Sequence, residues 1–198
     1  MIRLAEEKDA QINIYKSMVG RPYCVWTNEY PCLDNITFDL EHNNLFVYEL
    51  EGEIAGCISI EADNDLANLE EISVHDGNEI EISRVAIRVD LQGQGLARKM
   101  LSEFIVLMRK RRVSAIQLLV AKNNPIAQKT YASLGFIFKG ETFMYDNDYI
   151  TAELILDDIS YREADINDLT NLLKLYMELH DNPLPEDLTE SKRIWEQM

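Results

Sequence analysis

The chain has 198 residues, which suits one compact domain with room for an appendage. It is 46% hydrophobic and 27% charged, an ordinary mix for a soluble protein, and its formal net charge of −16 argues against a nucleic-acid partner. No apolar run reaches the ~18 residues of a membrane-spanning helix, and the opening MIRLAEEKDAQ lacks the basic and apolar regions of a secretory signal, so a cytoplasmic protein is expected.

Taken in order, residues 2–5 read as a strand and 7–18 as a helix with Ala10, Ile14 and Met18 on its apolar side. Residues 20–31 are irregular and hold Tyr23, Trp26 and Tyr30, and a short helix is expected over 33–40. Residues 45–50 and 54–60 are strands joined by the turn Glu51, Gly52, Glu53. Residues 62–77 are acidic and read as a loop or insertion. Residues 80–89 alternate as a strand, which would put Glu79, Glu81, Ser83, Val85 and Ile87 on one face. After a turn at 93–95, a strongly amphipathic helix runs over 96–112. A buried strand over 115–120 precedes a helix that Pro125 opens and Gly135 closes. Residues 136–145 and 149–156 form a hairpin around Asp146, Asn147 and Asp148. The order β-α-α-β-β-β-α-β-α-β-β predicts an α/β fold with a mixed sheet and helices on both faces. It is complete near residue 156, giving a domain over 1–156 and an appendage over 157–198.

The three cysteines, Cys24, Cys32 and Cys57, are odd in number and form no C-x-x-C pair, so neither a disulfide framework nor a metal site is expected. Cys57, within IAGCISI, reads as a small buried hydrophobe. Charge is unevenly spread. Between Arg84 and Gly140 there are eleven Lys/Arg and two Asp/Glu, a local balance of +9 that leaves −25 on the rest. Such an island suits a local anionic ligand, although residues 109–112 also favour a helix C-terminus.

Two motifs carry chemistry. Gln92, Gly93, Gln94, Gly95, Leu96 and Ala97 lie between a strand and a helix. The glycines allow a tight turn and close approach of a ligand, and the helix start offers unpaired N–H groups to an anion such as pyrophosphate. The loop lacks the Gly-Lys-Ser/Thr of a Walker A sequence. It also lacks a third Gly or Ala where Arg98 stands, and the next strand ends without the acid of a dinucleotide fingerprint. The second motif runs from Asn124 through Ala127 and Tyr131 to Gly135 and Phe136. Asn124 can cap the helix and Ala127 shares a face with Tyr131.

Strand, Q-x-x-G-x-A, helix, strand, N-x-x-A-x-x-x-Y-x-x-x-G-F resembles the cofactor core of the GNAT superfamily of N-acyltransferases. The resemblance implies acetyl-CoA as acyl donor, bound where the strands at 80–89 and 115–121 splay apart. It implies that Val85, Ala86 and Ile87 offer backbone groups to pantetheine. Gln92, Gly93, Gln94, Gly95, Leu96, Ala97 and Arg98 would hold the pyrophosphate, and Asn124 would touch the pantetheine or thioester end. Tyr131 would be the general acid for the departing thiolate. The base is Glu81, its neighbour Glu79, or a water chain; the glutamate some members carry five residues before the motif asparagine is Leu119 here.

The acceptor site in this family comes from the early helices and the late hairpin, here residues 23–38 and 143–149. Their aromatics and acids suit a cationic primary amine, on a small molecule or a protein. A non-catalytic acetyl-CoA sensor or a dimeric interaction module is the alternative. Residues 161–168 parallel residues 2–9, so the tail resembles the start of a second such domain, with Leu169, Leu172, Leu173, Tyr176 and Leu179 on an apolar face. That face is expected to dock on its own domain or on a second copy in a homodimer.

Overall fold

The computed structural model describes residues 1–10, 12–70, 72, 78–156, 165–180, 189 and 193. The chain divides into two units, Met1–Asp158 and Ile159–Met198. The first contains β1 (Ile2–Leu4), α1 (Ile12–Met18), α2 (Leu33–Glu41), β2 (Leu45–Leu50), β3 (Glu53–Ile60) and β4 (Ile80–Ile87). It continues with α3 (Leu96–Lys110), β5 (Ala115–Ala121), α4 (Pro125–Ala132), β6 (Ile137–Met144) and β7 (Asn147–Ile155). The strands form one mixed sheet in the order β1-β2-β3-β4-β5-β7-β6. Neighbours are antiparallel except β4 and β5, which are parallel and joined through α3. The α/β architecture expected from the sequence is the one observed.

Each face of the sheet has its own apolar cluster. The amphipathic period of α3 buries Met100, Leu101, Phe104, Ile105 and Met108 against Phe46, Ile58, Ile82 and Ile116. Each fully buried side chain of this size contributes about 1.5–3 kcal/mol. A second cluster packs Ile14, Tyr15, Met18 and Ile36 of α1 and α2 on Val47, Cys57 and Ala86. Burial pushes the Cys57 thiol up to about 12, which suits the packing role expected of it. Gly56 is required where β3 meets β4: a Cβ there would lie 2.6 Å from Ile87 Cδ1 and 2.7 Å from the Ala86 carbonyl oxygen.

Two local expectations are corrected. The helix over 7–18 is interrupted: a 3-10 turn, Glu7–Asp9, precedes α1. The Asp9 carboxylate is held by Arg3 Nη1 at 2.6 Å and by the Glu6 N–H at 2.9 Å, local bonds that compete with a continuous helix. In the β6–β7 hairpin Met144 pairs with Asn147, so the turn is Tyr145 and Asp146, one residue earlier than expected. Both have positive φ, +51° and +57°, as so tight a hairpin demands.

In the second unit a 3-10 turn, Ile166–Asp168, leads into α5 (Leu169–His180), and the Asp165 side chain accepts the Asn167 N–H. Of the stretch that parallels residues 2–9, residues 161–164 lie outside the described residues.

Candidate active site

β4 and β5 pair at only two positions, Ile80 with Ile116 and Glu81 with Gln117. Beyond them each strand keeps its outer partner, β3 or β7, while the inner edges are unpaired with each other. Arg88 N–H donates to the Ala55 carbonyl on β3 at 2.8 Å. By strand alternation the amide groups of Ile87 then face the gap.

The shape of β4 departs from the even alternation read in the sequence. Ser59 pairs with Ser83 and Cys57 with Ala86, so one extra residue bulges from β4. Arg84 stands in this bulge at φ +47°, a left-handed conformation that a side chain tolerates only when its surroundings hold it. The bulge switches faces: Ile82 and Ile87 share the cluster under α3, while Ala86 joins the cluster under α1 and α2. Val85 and Ile87 therefore do not continue the face of Glu81 and Ser83.

Arg84 is held by three segments. Its Nη2 donates to both oxygens of Asp39 at 3.0 Å, its Nη1 to Glu61 Oε1 at 2.8 Å, and Nη1 also to the Tyr30 hydroxyl at 3.0 Å. Ser59 Oγ donates to Asp39 Oδ2 at 2.7 Å. One guanidinium thus ties α2, the end of β3 and the loop before α2 to the bulge.

A cavity of about 940 Å³ opens at the splay. Its walls include Ile82, Val85, Val120, Ala127 and Tyr131 from the α3 side of the sheet, and Met18, Trp26, Tyr30 and Asp39 from the other. It therefore passes through the sheet between β4 and β5. Asn124 lies on this wall and caps α4, its Oδ1 accepting the Ala127 N–H at 3.0 Å. Tyr131 is 7% exposed, its ring set edge-on to Phe136 at 5.4 Å. Burial raises its phenol above the ordinary range, so the hydroxyl stays protonated at neutral pH. Glu81, also 7% exposed, lines the cavity, and Glu79 does not. Burial, then the charges of Glu61 and Asp65, push the Glu81 carboxyl up to about 7, against backbone N–H groups of Leu66 and Asp65 that favour its charged form.

The glycine loop lies outside the cavity walls, on the surface. Gly93 and Gly95 have φ of +78° and +75° and are exposed. α3 starts from Gly95 with no side-chain cap and no acid in its first turn, where a helix favours negative charge. Arg98 and Lys99 stand there instead, exposed. An uncapped, acid-free helix start of this kind fits a pyrophosphate, and the unpaired β4 edge fits the amides of pantetheine. Gln92 braces the two: its Nε2 donates to the Ile87 carbonyl at 3.0 Å and its Oε1 accepts from the Tyr23 hydroxyl at 2.8 Å.

The model of the acetyltransferase (GNAT) family matches residues 13–136. The chain belongs to the GNAT acetyltransferase family. As a member it is an acyl-CoA-dependent acyltransferase with acetyl-CoA as donor. No curated protein matches it. Among solved structures it is similar to yncA of Salmonella typhimurium, solved with its cofactor acetyl-CoA, at 23% identity and TM-score 0.61, over 83% of this chain and 98% of that one. It is similar to a ribosomal-protein-alanine N-acetyltransferase from Brucella melitensis at 24% identity and TM-score 0.61, over 79% and 99%. A GNAT-family acetyltransferase from Streptococcus agalactiae aligns with TM-score 0.67 at 18% identity, over 79% and 95%. These likenesses are of fold.

Of the segments expected at the acceptor side, Tyr23, Trp26, Tyr30, Asp34, Phe38, Tyr145, Asp146 and Tyr149 line the cavity, while Glu29, Phe143, Met144 and Asp148 do not. Sequence reasoning missed Asp63 and Asp65, read as part of a loop or insertion, Glu61, left between that loop and the strand before it, and Arg84, counted only as island charge. The one available signal for Arg84 was a guanidinium in the alternating row of Ile80, Ile82 and Ala86, where an apolar residue is expected. Among the described residues no helix is long and apolar enough to cross a membrane.

Proposed function

We propose that this acetyltransferase acylates a cationic primary amine by direct attack within a ternary complex, with Glu81 as base and Tyr131 as acid. The observation that carries the reading is Glu81, buried on the cavity wall at the last paired position before β4 and β5 part. Acetyl-CoA supplies an activated acyl group as a thioester. Gly93, Gln94, Gly95, Leu96, Ala97 and Arg98 would hold its pyrophosphate through helix-start N–H groups, with Gln92 fixing the loop. Val85, Ala86 and Ile87 would meet the pantetheine along the open strand edge, and Asn124 has its amide NH2 for the same arm once Oδ1 is used in the cap.

An ammonium must lose a proton before it can attack. A carboxylate with a pKa of about 7 takes that proton near neutral pH far better than an ordinary glutamate. A backbone N–H of β4 near Ile87 would stabilise the negative charge that grows on the acyl oxygen. Tyr131 Oη, kept protonated by burial, donates to the leaving sulfur. Residues 1–156 would form this catalytic domain, and residues 157–198 an appendage without an active site.

The test is the pH profile of kcat/KM. The base form of Glu81 must be present, so activity should rise through an acid limb near pH 7. In Glu81→Gln that limb should vanish or move. An unmoved limb would assign the base elsewhere.

A further inference from the structure

Resting on the transfer reading above, we infer that the acceptor is a flexible alkyl diamine or polyamine, one that carries at least two ammonium groups and no carboxylate.

Among the described residues, the cavity is lined by seven carboxylates and a single basic side chain, Arg84. That guanidinium is not available to a substrate, since it is already engaged by Asp39, Glu61 and Tyr30. Five carboxylates remain without a cationic partner among the described residues: Asp34, Asp63, Asp65, Glu81 and Asp146. They fall into two layers. Glu81 is buried, whereas Asp34, Asp63, Asp65 and Asp146 are exposed at the mouth, on α2, the segment after β3 and the β6–β7 turn.

Independent observations at the inner layer call for a ligand. Glu81 is a buried carboxylate, 7% exposed, that lines the cavity with no counter-charge among the described residues. Beside it on the same wall, the buried Ser83 Oγ has no hydrogen-bond partner among the described residues, which a folded interior rarely leaves so. An amine supplies both needs. A metal ion fits poorly, because no three of these acids come together as ligands would among the described residues. The outer layer, with Tyr145 and Trp26 on the same walls, then suits a second ammonium. A carboxylate on the acceptor would meet the same outer acids with no free cation to receive it, which disfavours amino acids.

The experiment compares three acceptors with the full-length protein at saturating acetyl-CoA: cadaverine, lysine (cadaverine bearing a carboxylate) and pentylamine (cadaverine lacking its second amine). Cadaverine should exceed each of the others by about tenfold or more in kcat/KM. Asp63→Asn/Asp146→Asn, which spares the Asp65 that acts on Glu81, should raise the KM for cadaverine about tenfold and leave that for pentylamine unchanged. Added salt should likewise weaken cadaverine more than pentylamine, because the outer acids are exposed. Equal turnover of pentylamine, or preference for lysine, would overturn the inference while leaving acetyl transfer standing. Turnover of none of the three would also overturn it, and a wider panel of primary amines would then show whether the transfer reading falls with it.

Discussion

The two halves of the cleft are built by opposite means. The half assigned to the donor is largely backbone: two glycines at positive φ, an uncapped helix start, and a strand edge that its neighbour has left. The half assigned to the acceptor is largely side chain: one guanidinium fixed by α2, by the end of β3 and by Tyr30, and carboxylates drawn from four separate segments. Backbone recognition can be reused for any acyl-CoA. Side-chain recognition can be changed one residue at a time, so acceptor choice can drift while the donor half stays fixed.

If that division holds, Tyr131 should matter to chemistry and hardly at all to donor affinity. Tyr131→Phe is expected to lower kcat by ~10²–10⁴-fold, as loss of a general acid does, with acetyl-CoA binding by calorimetry unchanged. An unaltered kcat, measured where chemistry limits the rate, would return Tyr131 to the core. On the acceptor side, Arg84→Met should cost about 3–5 kcal/mol of stability, since it strands the buried Asp39 and takes the partner from half-buried Glu61. Denaturant unfolding reads this directly, and a cost under about 1 kcal/mol would show that the network is slack.

Glu81 links the halves through pH. Its folded-state pKa, about 7, lies above the ordinary 4.5, so the folded protein favours the protonated acid. The stability tied to that proton is fully present below pH 4.5 and is lost as pH rises through 7. Glu81→Gln should therefore be more stable than the native protein by about 3 kcal/mol at pH 8 and by nearly nothing at pH 4. A difference independent of pH would mean that Glu81 is not buried at a cost. The smallest effect should come from the donor loop: Gly95→Ala, at φ +75°, should cost about 1 kcal/mol and weaken acetyl-CoA, leaving the KM for the amine as it was. A raised amine KM with donor affinity intact would reverse the assignment of the loop.

The same division explains what the sequence made legible. The donor loop, the capping Asn124 and Tyr131 sit within short stretches whose residue types follow from local backbone needs, so motif and structure coincide there. So does the apolar period of α3. The bulge at Arg84 was missed, although the apolar phase changes there from Ile80 and Ile82 to Val85, Ile87 and Val89, because what holds it is Asp39, forty-five residues away. The wall formed by Glu61, Asp63 and Asp65 was illegible for a similar reason: an acidic loop reads as solvated until the fold brings it beside Glu81. The early helix failed locally, where Arg3 and Asp9 bind each other rather than extending it.

The central claim, amine acetylation from acetyl-CoA in the cleft between β4 and β5, is tested most directly by product stoichiometry. Purified protein with acetyl-CoA and cadaverine should release free CoA thiol and form N-acetylated amine, read by mass spectrometry, in equal amounts. Thiol release with no acetylated amine, or no thiol release with any primary amine while acetyl-CoA binds, would contradict it.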